Sequence, residues 1–293
     1  MKECTLCPRK CRADRDGGKV GFCGVTSKMR IARAAPHFFE EPCLSGEKGA
    51  GTIFFSGCSL GCVYCQNYDV SHRAKGYEIT ENELYDLMFS LKNQVVHCID
   101  LVTPTHFTDK IIPVLEKAKP ALNIPVVWNC GGYESVETLK MLDGLVDVYL
   151  PDFKYASPEL AKIYSGAEDY PEVAQSALAE MYRQVGKFEI DEDGIAKRGV
   201  IVRHLVLPSH RNDTEEVLKI IAKVLPVQDI RLSLMSQYTP EFLHGDFREL
   251  SRRVTTFEYN RAVDTAIALG FEGYFQERSS ASAAYTPDFS DKK

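Results

Sequence analysis

The sequence predicts an α/β protein, a partial (β/α)6 barrel with a small metal-bound module at its N-terminus. Three observations carry this. From Thr52 onward, apolar strand-like runs alternate with helical patterns, which implies a parallel sheet curled into a barrel or part of one. Polar and charged residues gather at the C-terminal end of each run, where barrel enzymes carry their chemistry. Cys4, Cys7, Cys11 and Cys23 sit in a polar, glycine-rich stretch that cannot build an apolar core of its own. A doubly wound open sheet is the competing architecture.

The chain has 293 residues, 44% hydrophobic and 26% charged, enough for a substantial core. The net charge is −6 and no basic run exceeds Arg252-Arg253, which argues against a nucleic-acid groove. No apolar run approaches the length of a membrane span. Met1-Lys2-Glu3-Cys4 carries no apolar signal region, so a cytoplasmic protein is expected. Ten cysteines in such a chain point to metal or redox chemistry rather than disulfides.

The expected division is 1–27, a cysteine-rich metal or cluster module; 28–51, a small β linker; 52–277, the barrel; and 278–293, a loose tail. The first module reads Cys-x2-Cys-x3-Cys-x11-Cys. A bound ion would hold it folded, and four thiolates give a closed site suited to structural Zn²⁺ or an auxiliary iron–sulfur cluster. Free thiols are the blander reading. In the linker, Met29 to Ala35 partly alternates; His37, Glu40 and Glu41 either face the site or form a polar rim, and Cys43 packs as a small apolar residue.

The buried strand Thr52-Ile53-Phe54-Phe55 leads into Cys58-x3-Cys62-x2-Cys65. Three thiolates on one loop can wrap a centre and leave one position open, the logic of a catalytic rather than a structural site. A zinc knuckle short of a ligand is the rival. Thr80-Glu81-Asn82-Glu83 is a capping box, followed by Leu84, Leu87, Met88 and Leu91 on one helical face. Strand two is Val95 to Thr103, and a helix from Thr108 is closed by Pro120. Strand three is Pro125 to Cys130, strand four Val146 to Asp152, strand five Val200 to Leu207 and strand six Ile230 to Met235. Helices follow at 134–142, from Ser157-Pro158, at 171–185, 213–224 and 254–269, with a last short strand at 271–275. The strand ends carry Thr103, Thr105 and His106; Asn129 and Cys130; Asp152 and Lys154; Arg203; and Gln237.

The cysteine loop, with Tyr64 just before its third cysteine, resembles the radical SAM superfamily. Further residues carry a closer likeness: Cys4-Thr5-Leu6-Cys7-Pro8-Arg9-Lys10-Cys11, Phe55-Ser56-Gly57-Cys58, Tyr64-Cys65-Gln66-Asn67, Leu101-Val102-Thr103-Pro104-Thr105-His106, Tyr149-Leu150-Pro151-Asp152-Phe153-Lys154-Tyr155, Val202-Arg203-His204-Leu205-Val206-Leu207-Pro208 and Met235-Ser236-Gln237-Tyr238-Thr239-Pro240. With these the chain resembles the pyruvate formate-lyase activating enzymes, and most closely their uncharacterised relatives with a cysteine-rich N-terminus. The resemblance implies a TIM-like partial barrel, and that Cys58, Cys62 and Cys65 hold a [4Fe-4S] cluster whose fourth iron binds S-adenosylmethionine. It implies that Tyr64 lies beside the adenine and that Asn67, Asn129, Asp152, Lys154, Arg203 and Gln237 contact the cofactor. Where the family often has Gly-Gly-Glu after strand two, Thr103 and Thr105 stand here and are the candidates for the ammonium site.

The implied activity is that of an oxidoreductase working without oxygen. Reductive cleavage of the cofactor gives a 5′-deoxyadenosyl radical, which takes a hydrogen from a protein or peptide, in one version the glycine of a glycyl-radical enzyme. A small-molecule substrate and a non-catalytic zinc or iron–sulfur interaction protein are the alternatives. Cys130 and His106 are candidate hydrogen or proton donors, each with a packing role as its rival. The electron source implied is a flavodoxin or ferredoxin.

Overall fold

The computed structural model describes residues 3–276 and 289; apart from Phe289, the expected tail lies outside them. Residues 3–27 form no helix or strand. The elements then run β1 (Arg30–His37), α1 (Pro42–Ser45), β2 (Ala50–Phe55), α2 (Tyr68–Ser71), β3 (Tyr77–Glu78), α3 (Glu81–Asn93), β4 (Ile99–Val102) and α4 (Thr108–Leu122). They continue with β5 (Val126–Cys130), α5 (Val136–Lys140), β6 (Val148–Pro151), α6 (Pro158–Ser165), α7 (Tyr170–Val185), β7 (Glu189–Ile190) and β8 (Ala196–Leu205). The last are α8 (Arg211–Val224), β9 (Arg231–Met235), α9 (Thr256–Ala268) and β10 (Gly273–Phe275).

One sheet has the order β10-β9-β8-β6-β5-β4-β2-β1-β3, with β7 paired off this path to β8. From β2 to β10 every neighbour is parallel, and the spatial order follows the chain order without a reversal. A doubly wound sheet would reverse at a switch point, so that alternative is ruled out. The sheet stays open: β1 adds antiparallel to β2, β3 adds to β1, and β10 forms the other edge. This is a partial barrel. The strands are buried because the crossover helices cover them; β2 is buried along its whole length, as is β5.

The capping boxes explain where two of the covering helices begin. Thr80 accepts from the Glu83 N–H while the Glu83 carboxylate accepts from the Thr80 N–H, and Thr255 with Glu258 repeats the device at α9. The expected stop at Pro120 is corrected: α4 runs through it to Leu122 and ends at Asn123 in the left-handed conformation. Leu122 is fully buried at the end of the face formed by Ile111, Val114, Leu115 and Ala118. Burying it, at ~2 kcal/mol, offsets the hydrogen bond that proline removes.

The N-terminal module docks on the C-terminal end of the sheet. The Arg9 guanidinium donates to the carbonyls of Ser59, Leu60, Ser165 and Gly166. Arg15, only 3% exposed, donates to the His106 carbonyl. Cys23 and Val25 join the main apolar core. Among the described residues no helix is long and apolar enough to cross a membrane.

Candidate active site

The loop after β2 turns at Gly57 and Gly61, both at positive φ. Gly57 has a second reason to be glycine: a Cβ there would stand 2.5 Å from the Cys23 carbonyl oxygen. Cys58, Cys62 and Cys65 all line an inner cavity of about 160 Å³. Each sulfur meets a donor. The Leu60 N–H reaches Cys58 Sγ at 3.4 Å, the Ser165 hydroxyl donates to Cys62 Sγ at 3.0 Å, and the Ser71 hydroxyl donates to Cys65 Sγ at 3.2 Å. These donors favour a thiolate over a thiol. Burial works against them, pushing the Cys58 thiol up and that of Cys65 to about 12, with Cys62 beside both adding to the rise.

The opposite wall is a charged network built from the ends of three strands. Asp152 Oδ1 accepts from Arg203 Nε at 2.8 Å and Asp152 Oδ2 from Lys154 Nζ at 2.6 Å. Arg203 Nη2 donates to Asn129 Oδ1 at 2.6 Å, and Asn129 Nδ2 donates to Asp100 Oδ2 at 3.2 Å. Glu40 lies 3.5 Å from Arg203. Burial alone would raise the Asp152 carboxyl, but Arg203 and Lys154 outweigh it and hold it below the usual range. Among the described residues Asp100 forms no ion pair, and burial pushes it up to about 7 against the Asn129 hydrogen bond and the Arg203 charge. Glu40 is raised well above its ordinary value by burial and by Asp100.

This wall also lines an outer chamber of about 310 Å³, whose lining includes His37, Phe39, Glu40 and Glu41. Asn67 lines both chambers, and its Oδ1 is buried without a hydrogen-bond partner. Gln237 lines the outer chamber. The structure therefore brings Cys58, Cys62, Cys65, Asn67, Thr103, Thr105, Asn129, Cys130, Asp152, Lys154, Arg203 and Gln237 to one cleft.

Several expectations change on inspection. Tyr64 reaches the outer chamber, but its hydroxyl is bonded to Tyr155 at 2.6 Å and the rings of Tyr155, Tyr164 and Tyr238 surround it. Thr105 lines the inner chamber; its hydroxyl donates to Glu134 at 2.7 Å, which fixes the hydroxyl and leaves its oxygen lone pairs as acceptors. Thr103 has φ of 56° and spends its N–H on the Asn129 carbonyl. His106 takes the packing place that was the rival to a donor role. It lines neither chamber; its Nε2 is bonded to the Ser56 carbonyl at 2.8 Å, and burial lowers it to about 3. It is a packing residue that joins the loop to the N-terminal module. In that module Cys4, Cys7 and Cys23 are buried and Cys11 is exposed.

Asp100, Glu134, Ser71 and Ser165 are the participants that sequence reasoning missed. Asp100 had a signal, an acid inside the apolar run Cys98 to Val102. Glu134 is 2% exposed, and burial pushes its carboxyl up to about 8. The folded state thus holds a proton that the unfolded chain releases near pH ~4.3. Stability is then greatest at low pH and declines as pH rises through the window from about 4 to about 8. In Glu134→Gln this part of the slope disappears, which urea titrations at pH steps across that window measure; an unchanged slope means Glu134 is ionised in the fold.

The fold and this cleft are similar to those of a known class: residues 52–186 match the family model of the radical SAM superfamily. An uncharacterized protein of Methanocaldococcus jannaschii, MJ0674, is 29% identical over 273 residues, covering 91% of this chain and 75% of that protein. Streptococcus suis SuiB bound to its precursor peptide SuiA aligns over 75% of this chain at TM-score 0.54 and 10% identity. SuiB bound to S-adenosylmethionine aligns at TM-score 0.50 and 12% identity. The chain spans under half of the SuiB length, 46% and 47%, and the likeness is one of fold. A domain of pyruvate-formate lyase-activating enzyme from Bacteroides vulgatus overlaps at TM-score 0.38, too slight to carry an argument. The superfamily implies S-adenosylmethionine and a [4Fe-4S] cluster. The residues fit both: three thiols with donors line one cavity, and an orphaned Asn67 oxygen lies beside the charged wall.

Proposed function

We propose that the chain is a radical SAM enzyme acting on a protein or peptide. Cys58, Cys62 and Cys65 would hold the cluster, and Asn67, Asn129, Asp152, Lys154, Arg203 and Gln237 would hold S-adenosylmethionine. When bound, the pair supplies a 5′-deoxyadenosyl radical by one-electron reductive cleavage. The protein's part is to bind, orient and exclude water. Lys154 and Arg203 offer cations for a carboxylate, and Asp152 and Glu40 offer acceptors for an ammonium or for hydroxyls. Cys130, 2% exposed on the inner chamber, is the candidate hydrogen donor. The single observation that carries the reading is the three-thiol loop facing the Asp152, Lys154 and Arg203 wall across one cavity.

A protein or peptide is the substrate class we take, because the outer chamber's lining includes an exposed aromatic side chain, Phe39, 60% exposed, that a larger partner could cover. A glycyl-radical enzyme is one such substrate, and a flavodoxin or ferredoxin is the electron donor. The N-terminal cysteines would hold zinc or a second cluster. The test is to incubate the reconstituted, reduced enzyme anaerobically with a deuterated cell extract. Deuterium is expected in 5′-deoxyadenosine, supplied by a protein or peptide fraction. Supply by a small-molecule fraction would overturn the substrate class, and no 5′-deoxyadenosine at all would overturn the enzyme.

A further inference from the structure

Resting on the radical SAM reading above, we infer that Glu41 selects the substrate: the outer chamber takes a cationic side chain of a peptide, lysine or arginine, and holds its nitrogen on the Glu41 carboxylate.

Glu41 is placed for this by the helix it precedes. It is the N-cap of α1, and its carbonyl accepts from the Leu44 and Ser45 N–H groups at 2.7 and 3.0 Å. An N-cap carboxylate ordinarily turns back onto the amides of the first turn. Here it makes no such bond, and Pro42 at the first helical position has no N–H to offer. The residue is 8% exposed, lines the outer chamber, and leaves Oε2 buried without a hydrogen-bond partner among the described residues. A buried carboxylate without a partner is costly, and a cation brought by a ligand relieves that penalty.

The cations that line the chamber are already engaged. Its lining sets Lys154 and Arg203 against three carboxylates, Asp152, Glu40 and Glu41. Lys154 Nζ donates to Asp152. Arg203 Nε donates to Asp152 and Nη2 to Asn129, while Nη1 lies 3.5 Å from Glu40. Burial first, then Arg33, holds His37 below its ordinary value, so it adds no positive charge at neutral pH. The Tyr274 hydroxyl is bonded to Cys43. Glu41 is the acid left over.

The surplus belongs to the substrate rather than to the cofactor. On the reading above the cofactor joins the cluster among the thiols of the inner chamber, and neither Glu40 nor Glu41 lines that chamber. The outer chamber is walled as well by Phe39, Phe54, Leu205, Met235 and Tyr274. Apolar walls suit the methylene stem of a lysine or arginine, and aromatic rings favour a cation beside them. A hard metal ion would need several oxygen ligands instead.

Equilibrium dialysis tests this on the full chain, reconstituted anaerobically with S-adenosylmethionine. The probes are Nα-acetyl-lysine N-methylamide, its arginine counterpart, the norleucine analogue that lacks the cation, and n-butylamine, which lacks the peptide groups. Wild type is expected to bind the lysine or the arginine probe about tenfold or more tighter than the norleucine probe, the strength of one hydrogen bond to a charged group. Equal binding of all three, or binding of none, overturns the inference without recourse to a variant. n-Butylamine is expected to bind more weakly than the lysine probe; if it binds as tightly, the peptide is overturned as the source of the cation. In Glu41→Gln the preference for the cationic probe is expected to vanish while S-adenosylmethionine binds as in wild type. A preference that survives overturns the role of Glu41, and so does a tenfold loss of S-adenosylmethionine affinity, which would put Glu41 on the cofactor. Dithionite keeps the two readings apart: if reduced wild type forms no 5′-deoxyadenosine, the radical reading fails, and the probe preference still reports on the chamber.

Discussion

Alanine at Cys58, Cys62 or Cys65 is expected to abolish S-adenosylmethionine cleavage while leaving the fold in place. The three sulfurs line one cavity and come from a single loop with donors at Leu60, Ser165 and Ser71. Two thiolates cannot hold a cubane that keeps a site open, so the loss should reach the protein-free background, about a thousandfold or more, which is over 4 kcal/mol of activation free energy. Iron and sulfide analysis would show the loop cluster missing and 5′-deoxyadenosine absent after reduction. Circular dichroism should match wild type, because the loop is anchored independently by Leu60, 2% exposed, and by Arg9. Cleavage persisting in Cys58→Ala would remove the assignment of that residue as a ligand.

The second large effect is on stability. Arg203→Met should cost about 3–5 kcal/mol, because it strands buried carboxylates. Arg203 is the shared partner of Asp152, Asn129 and Glu40, and its side chain is 16% exposed. Without it, Lys154 alone faces Asp152, and Glu40 loses its cation. The pH dependence has a definite sign. In wild type the Asp152 carboxyl is held below its usual range; in the variant it rises, so the folded variant takes up protons that the folded wild type does not. The gap between the two should therefore narrow as pH falls toward the carboxylate range. Urea midpoints at neutral and mildly acid pH measure it, and a gap that widens on acidification would show that another interaction dominates.

Much of the fold was legible because a buried parallel strand and an amphipathic helix leave periodic traces. Thr80 and Thr255 begin helices for local reasons, and Asn129, Asp152 and Arg203 stand at strand ends that topology alone brings together. What sequence hid was long-range. Nothing near Arg9 announces carbonyls at Ser165 and Gly166, and nothing near Ser165 announces a sulfur at Cys62. Pro120 misled because proline breaks a helix only when burial beyond it is worth less than the lost bond. His106 stayed open between two roles because a histidine at a strand end looks the same whether it faces a cleft or a backbone carbonyl.

The Arg9 clamp also sets an order of assembly. The N-terminal cysteines leave the ribosome first, but the last carbonyls that Arg9 grips belong to Ser165 and Gly166 at the end of α6. The docking of those four thiols is therefore completed only once synthesis has passed Gly166. A metal taken up there would meet either a nascent segment or a nearly finished barrel.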